Sequence, residues 1–175
     1  MNIVTFTIIR VRNMLRGLVK LISYMDGLTG PADLGKMESM LRNANVTRED
    51  MVVACKFNDV SYARNMLAKS PWYQLLVICW RQGQSSPIHD HYGSSCGVRV
   101  IDGIATETLY EETRAGYVKP METSKYQKDD VCVTSGGDIH LITNEQSKRD
   151  LITLHLYSPP LQMNFYELES TFDNS

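Results

Sequence analysis

The chain has 175 residues, with 18 lysines and arginines against 20 acidic residues, a formal net charge of -2. So even a balance gives no reason to invoke nucleic acid or an anionic membrane as a partner. The length suits a single soluble domain over 1–175 with a core of its own, helical over residues 1–60 and strand-rich over 61–175. The four cysteines, Cys55, Cys79, Cys96 and Cys132, are widely spaced and form no CxxC pair, so neither a zinc ribbon nor a disulfide scaffold is expected. A reducing, cytoplasmic setting and a monomer fit best.

The N-terminal 25 residues are apolar, carry arginines and hold no acidic residue before Asp26. A targeting peptide would look similar, but Arg10 and Arg12 interrupt the apolar run and no small-residue cleavage site follows. Val11, Leu15, Leu18 and Ile22 recur at helical spacing, which predicts an amphipathic helix packing that face on the rest of the domain. No stretch is long enough to span a membrane. A second helix is predicted from Ala32 to Arg42, with Leu34, Met37 and Leu41 on one face. A short third helix follows Thr47, where Asp50 three residues on forms a capping-box pattern.

After about Ser61 the pattern changes to strands and turns. Gln74 to Trp80, QLLVICW, is an apolar run suited to a strand buried on both faces. In GVRVIDGIATETLY the pair Asp102-Gly103, flanked by β-rich segments, predicts a hairpin. Further strands are expected over Asp130–Thr134, His140–Thr143 and Leu151–Tyr157, giving a sandwich or small barrel. Cys55, Cys79, Cys132 and Trp80 stand in apolar strings and read as core residues.

The segment SSPIHDHYGSSC places His89 and His91 two residues apart, and in a strand both imidazoles would point to the same face, where they could share a metal. Gly83, His89, His91, Cys96 and Gly103 reproduce the spacing of the first cupin motif, with Cys96 at the motif's glutamate position. Gly137, His140 and Asn144 reproduce the end of the second motif, whose start is degraded, with Asp129 in place of its glycine and Ser135 in place of its proline. The expected fold is mainly β, a cupin (jelly-roll-like) β-barrel preceded by α-helices, and the expected metal ligands are His89, His91 and His140. Three neutral imidazoles leave a divalent charge uncompensated and positions open, the arrangement of non-haem Fe(II) oxygenases. A thiolate is a strong ligand for such an ion.

SYARN, SPIHDH followed by Cys96, GDIHLITN and LHLYSPP resemble the corresponding segments of the cysteine dioxygenase family, a likeness running from about residue 60 to 161. The resemblance implies that His89, His91 and His140 hold Fe(II), that cysteine chelates it through sulfur and amine, and that both atoms of dioxygen end on sulfur as a sulfinate. It implies that Arg64 pairs with the substrate carboxylate through its planar fork of donors, with Tyr62 beside it near the site. Thr153, His155 and Tyr157 alternate with Ile152, Leu154 and Leu156, so the polar three share one strand face. They match a hydroxyl–histidine–tyrosine relay of the family, with threonine where the best-known members have serine. Cys96 matches the cysteine that animal members join to that tyrosine by a thioether. Ser95 departs from the histidine that many animal members have there. Two other readings stand beside this one: a sister dioxygenase acting on 3-mercaptopropionate, whose members tend to have glutamine where Arg64 stands, and a non-catalytic metal-binding cupin sensor. In the dioxygenase readings the partners are a small-molecule thiol and O2.

Overall fold

Three helices precede nine strands in the computed structural model, which describes residues 3–169, with side chains from residue 7 onward. Residues 1–2 and 170–175 of the expected domain lie outside the described residues. The helices are α1 (Ile3–Asp26), α2 (Leu34–Arg42) and α3 (Arg48–Met51). Asp33 caps α2, its carboxylate accepting from the Lys36 N–H at 2.8 Å, so the helix starts two residues later than the periodicity predicted. Thr47 and Asp50 make the predicted capping box reciprocally at the start of α3.

The face of α1 that packs is rotated from the predicted one, of which Leu18 stays buried. Leu18, Leu21 and Met25 are buried, whereas Val11, Leu15 and Val19 are exposed and Ile22 is only half-buried. Gly17 accounts for this rotation. Its carbonyl accepts from Asn45 N–H at 3.2 Å, and a Cβ on Gly17 would stand 2.2 Å from the Asn45 carbonyl oxygen. The helix therefore lies flush on the loop before α3 along its glycine side, which turns Leu18 and Leu21 inward and leaves the Val11–Leu15 side outside.

The strands are β1 (Ala63–Lys69), β2 (Gln74–Trp80), β3 (Ser95–Asp102), β4 (Ile104–Arg114), β5 (Tyr117–Gln127), β6 (Val131–Thr134), β7 (Ile139–Thr143), β8 (Leu151–Ser158) and β9 (Glu167–Leu168). They form two sheets, ordered β1-β2-β8-β3-β6 and β7-β4-β5-β9, with every pairing antiparallel except β5 with β9. This is the expected mainly β cupin barrel with N-terminal helices. The Asp102-Gly103 turn, however, makes no hairpin. β3 and β4 belong to different sheets, and the turn, with Gly103 at a φ of 92°, carries the chain from one to the other. The long hairpin is β4–β5. Strand β5 has little signature in sequence because Pro120 interrupts it, and the ladder accommodates that proline with a register shift between Leu109 and Tyr110.

β2 and β8 lie side by side in the middle of the five-stranded sheet and are buried on both faces. Leu75, Val77, Leu154 and Leu156 face the helices, joining Leu18, Leu21, Met25, Met37 and Leu41 in one apolar layer. Leu76, Ile78, Trp80 and Tyr157 face the barrel interior with Cys96, Val100 and Ile142. Burying each leucine-sized chain contributes about 1.5–3 kcal/mol, so this double layer clamps the two strands whose inward residues build the site.

Candidate metal centre

His89 and His91 do not sit on a regular strand. They lie on an extended crossing segment tied in by an isolated bridge in which His89 and His140 exchange backbone hydrogen bonds of 2.9 and 2.8 Å. His91 N–H donates to the Gly136 carbonyl at 3.2 Å. Gly136 rather than the motif's Gly137 is the conformationally demanding glycine, because its φ is 96° and a Cβ there would meet the Ser94 carbonyl at 2.3 Å. These contacts hold the crossing segment against the start of β7, and they bring three rings from separate parts of the chain together.

The three imidazoles are buried, and their candidate ligand nitrogens lie within 4.8 Å of one another. His89 Nδ1 stands 2.9 Å from the Pro87 carbonyl, and His140 Nδ1 stands 2.5 Å from Glu107 Oε1. In a neutral ring each Nδ1 must be the donor in such a contact, so the Nε2 lone pairs of His89 and His140 are left for another partner. His140 Nε2 lies 3.1 Å from His91 Nε2. Burial, then the neighbouring His140, lowers the His89 pKa to about 4; burial, His140 and His89 lower that of His91 to about 3. His89 and His91 are therefore neutral at pH 7, and three ring nitrogens this close together fit a cation.

Glu107 was not among the residues expected from sequence. It lies on β4 opposite Ile142 of β7, diagonal to His140 and on the same face. An acid behind a metal-binding imidazole fixes its tautomer and raises its basicity. Its only trace in sequence is an acid at even spacing from the buried Ala105.

Thr153, His155 and Tyr157 project inward from β8 as expected, all buried. Trp80 Nε1 donates to Thr153 Oγ1 at 2.9 Å, Thr153 Oγ1 lies 2.9 Å from His155 Nε2, and His155 Nδ1 lies 3.0 Å from the Tyr157 hydroxyl. The indole N–H can only donate, so Thr153 Oγ1 accepts from it and still has its own proton and a second lone pair for His155 Nε2. Burial keeps His155 neutral by holding its pKa well below the ordinary value. With Thr153 donating to Nε2, the imidazole proton sits on Nδ1 and is donated to the Tyr157 oxygen; with the other tautomer both contacts reverse. Burial likewise pushes the Tyr157 phenol well above its ordinary pKa, so it keeps a proton free for the cavity or for Cys96. Trp80, expected to be a plain core residue, thus starts the chain of hydrogen bonds as a donor. It also stacks on Tyr62, with ring centroids 4.6 Å apart and planes 16° apart.

One cleft joins these groups. It encloses about 290 Å³ of empty space including its mouth, and Tyr62, Arg64, His89, His140, His155 and Tyr157 are among the residues around it. Arg64, on β1 opposite Ile78, is exposed overall but lines the cleft, and it has no ion-pair partner among the described residues. Its charge also acts on His89, His91, His155 and Tyr157. Cys96 on β3 is buried and directly opposite Tyr157 on β8. Ser86, also absent from the sequence expectations, lines the cleft and accepts from the Ile142 N–H at 3.1 Å.

A barrel of two mainly antiparallel sheets with three inward imidazoles that could hold a metal ion defines a cupin. The family model for cysteine dioxygenase type I matches residues 17–168, and the chain belongs to that family. Similar curated proteins include cysteine dioxygenase type 1 of Danio rerio, 27% identical over 133 residues covering 73% of this chain and 66% of that one. That of Rattus norvegicus is 25% identical over 129 residues, 71% of this chain and 64% of the other; that of Homo sapiens is 29% identical over 109 residues, 60% and 54%. The chain thus aligns to between 54% and 66% of the length of these three relatives. Among solved structures, a Klebsiella pneumoniae protein with a double-stranded β-helix domain superposes with a TM-score of 0.56 at 15% identity, over 65% of this chain and 86% of the other. A Thermus thermophilus protein does so with a TM-score of 0.53 at 17% identity, over 63% and 94%. Both likenesses concern the fold.

Proposed function

We propose that the protein is an Fe(II)-dependent thiol dioxygenase that converts L-cysteine and O2 to cysteine sulfinate. The observation that carries this reading is one small cleft holding three convergent imidazoles and an arginine without an acidic partner among the described residues. His89, His91 and His140 would hold the ion through Nε2. When bound, Fe(II) supplies open positions and one-electron chemistry for a thiolate and dioxygen.

The chain's residues do the rest. Arg64 receives the substrate carboxylate through its planar donors, a pairing that fixes the amino acid end over end. Tyr62, stacked on Trp80, forms the wall beside it. The relay from Trp80 through Thr153 and His155 presents the Tyr157 hydroxyl to the cleft as a donor, where it can stabilise charge developing on oxygen or sulfur. Buried aromatic and aliphatic walls keep water from the reacting sulfur. The balance is one thiol and one O2 giving one sulfinic acid, both oxygen atoms on sulfur. Cysteine is preferred to 3-mercaptopropionate in this reading because Arg64 stands where members preferring the latter tend to have glutamine.

The test is anaerobic reconstitution with Fe(II), followed by oxygen uptake and sulfinate detection with L-cysteine and 3-mercaptopropionate side by side. Faster turnover of cysteine with one O2 consumed per sulfinate is expected. Preference for 3-mercaptopropionate would overturn the substrate, and absence of uptake with either thiol would overturn the activity.

A further inference from the structure

Two of the four cysteines form a contact away from the cleft. Cys79 is buried on the helix-facing side of β2, and Cys55 lies half-buried in the turn after α3, 24 residues earlier in the chain. Each thiol lies close enough to act on the other's ionisation. The Asn65 side-chain amide, on β1, fixes the arrangement independently: its nitrogen donates to the Lys56 carbonyl at 3.1 Å and lies 3.6 Å from Cys79 Sγ, so the backbone next to Cys55 and the Cys79 sulfur share one donor. The Cys55 N–H is held by the Val52 carbonyl at 3.3 Å, which closes the turn.

We propose that Cys55 and Cys79 are a modification site, a paired dithiol that a hydroperoxide oxidises to an intramolecular disulfide. The chemistry has two steps. Cys55, the more accessible sulfur, attacks the peroxide and becomes a sulfenic acid with release of one water; the Cys79 thiol then displaces the sulfenic oxygen as a second water, forming the S–S bond. The sum is two thiols and one hydrogen peroxide giving one disulfide and two waters. Roles divide in this order because the Cys79 thiol acts on Cys55, and the Arg48 guanidinium adds its charge, so Cys55 is held below the ordinary thiol range while Cys79 is raised. A sulfenate with a thiol beside it condenses rather than oxidising further.

The product would tie the helical layer to the strand that carries Trp80, one residue from Cys79. Its sulfurs belong to neither the three imidazoles nor the Cys96–Tyr157 pair, so the reaction is independent of the metal chemistry proposed above.

The experiment treats the reduced full chain with stoichiometric hydrogen peroxide, with its metal bound and, in parallel, as the His140→Ala variant, which separates metal-driven oxidation from direct attack. Peptide mapping under non-reducing conditions is expected to give a Cys55–Cys79 linked pair in both, cleaved by dithiothreitol, and a melting temperature raised relative to the reduced chain. The Cys55→Ser variant should give no linked pair and retain oxygen uptake with cysteine. Irreversible sulfinate at Cys55 without linkage, or consumption of Cys132 at the same rate as Cys55, would overturn the proposal.

Discussion

Cys96 on β3 and Tyr157 on β8 are direct cross-strand partners, both buried, with the phenol within hydrogen-bonding reach of the sulfur. Registers elsewhere in the sheet keep this pair opposed: Gly97 faces Leu156 on one side and Ser95 faces Ser158 on the other. Neither side chain has to leave its strand for a carbon–sulfur bond to form. Such a bond would join Cys96 Sγ to a ring carbon of Tyr157 with the loss of two hydrogens, O2 being the oxidant. After turnover with cysteine and Fe(II), a Cys96–Tyr157 linked peptide lighter by two hydrogens is expected by mass spectrometry. Cys96→Ser should abolish it and lower kcat on the order of tenfold, since the phenol regains rotamer freedom. An unlinked wild-type chain after many turnovers would remove the pair from the mechanism.

Trp80→Phe keeps the ring that stacks on Tyr62 but deletes the N–H that Thr153 accepts. The buried hydroxyl then lacks its donor, at a cost of about 1–3 kcal/mol, and the chain of hydrogen bonds to Tyr157 loses its first member. A lower melting temperature, a kcat reduced about tenfold with KM unchanged, and an altered pH profile of kcat are expected. A variant that is merely less stable, with its pH profile of kcat intact, would show that Trp80 only packs.

Glu107→Gln tests the acid behind His140. Replacing the carboxylate weakens both the orientation and the basicity of the imidazole, and metal affinity is expected to fall about 10- to 100-fold. Titration with Co(II), followed by its visible bands, measures this without requiring turnover. Unchanged affinity would mean that the 2.5 Å contact contributes nothing to ligation.

Arg64→Ala removes the proposed partner of the substrate carboxylate. Hydrogen bonds to charged groups contribute about 1.5–3 kcal/mol, so KM for L-cysteine should rise roughly 10- to 150-fold. Oxidation of cysteamine, which lacks the carboxylate, should change little. An equal loss for both thiols would place Arg64 in the scaffold instead.

Much of this site was legible in the chain. The alternation of Thr153, His155 and Tyr157 with Ile152, Leu154 and Leu156 fixes their shared face because side chains alternate along any strand. The motif spacing marked the three histidines, and even its degraded glycine left a trace: Asp129 takes a φ of 73°, the left-handed region that glycine adopts without cost, and pairs with Arg99 at 2.8 Å. The thiol pair of Cys55 and Cys79, by contrast, reads in sequence only as two core cysteines.

What the sequence determined by itself was periodicity: the helices with their caps, the strand segments, and which residues of β8 face one way. Those properties are local and depend on the backbone repeat alone. Tertiary structure decided the rest. It turned α1 so that Leu21 and Met25, rather than Val11 and Leu15, were buried beside Leu18, because Gly17 lies against Asn45. It sent Asp102-Gly103 between sheets instead of around a hairpin. It also set Glu107 behind His140, and Trp80 on Thr153. Each of these depends on which distant segment a residue meets, and a meeting across 33 or 73 residues of chain is fixed by packing, not by the spacing of neighbours.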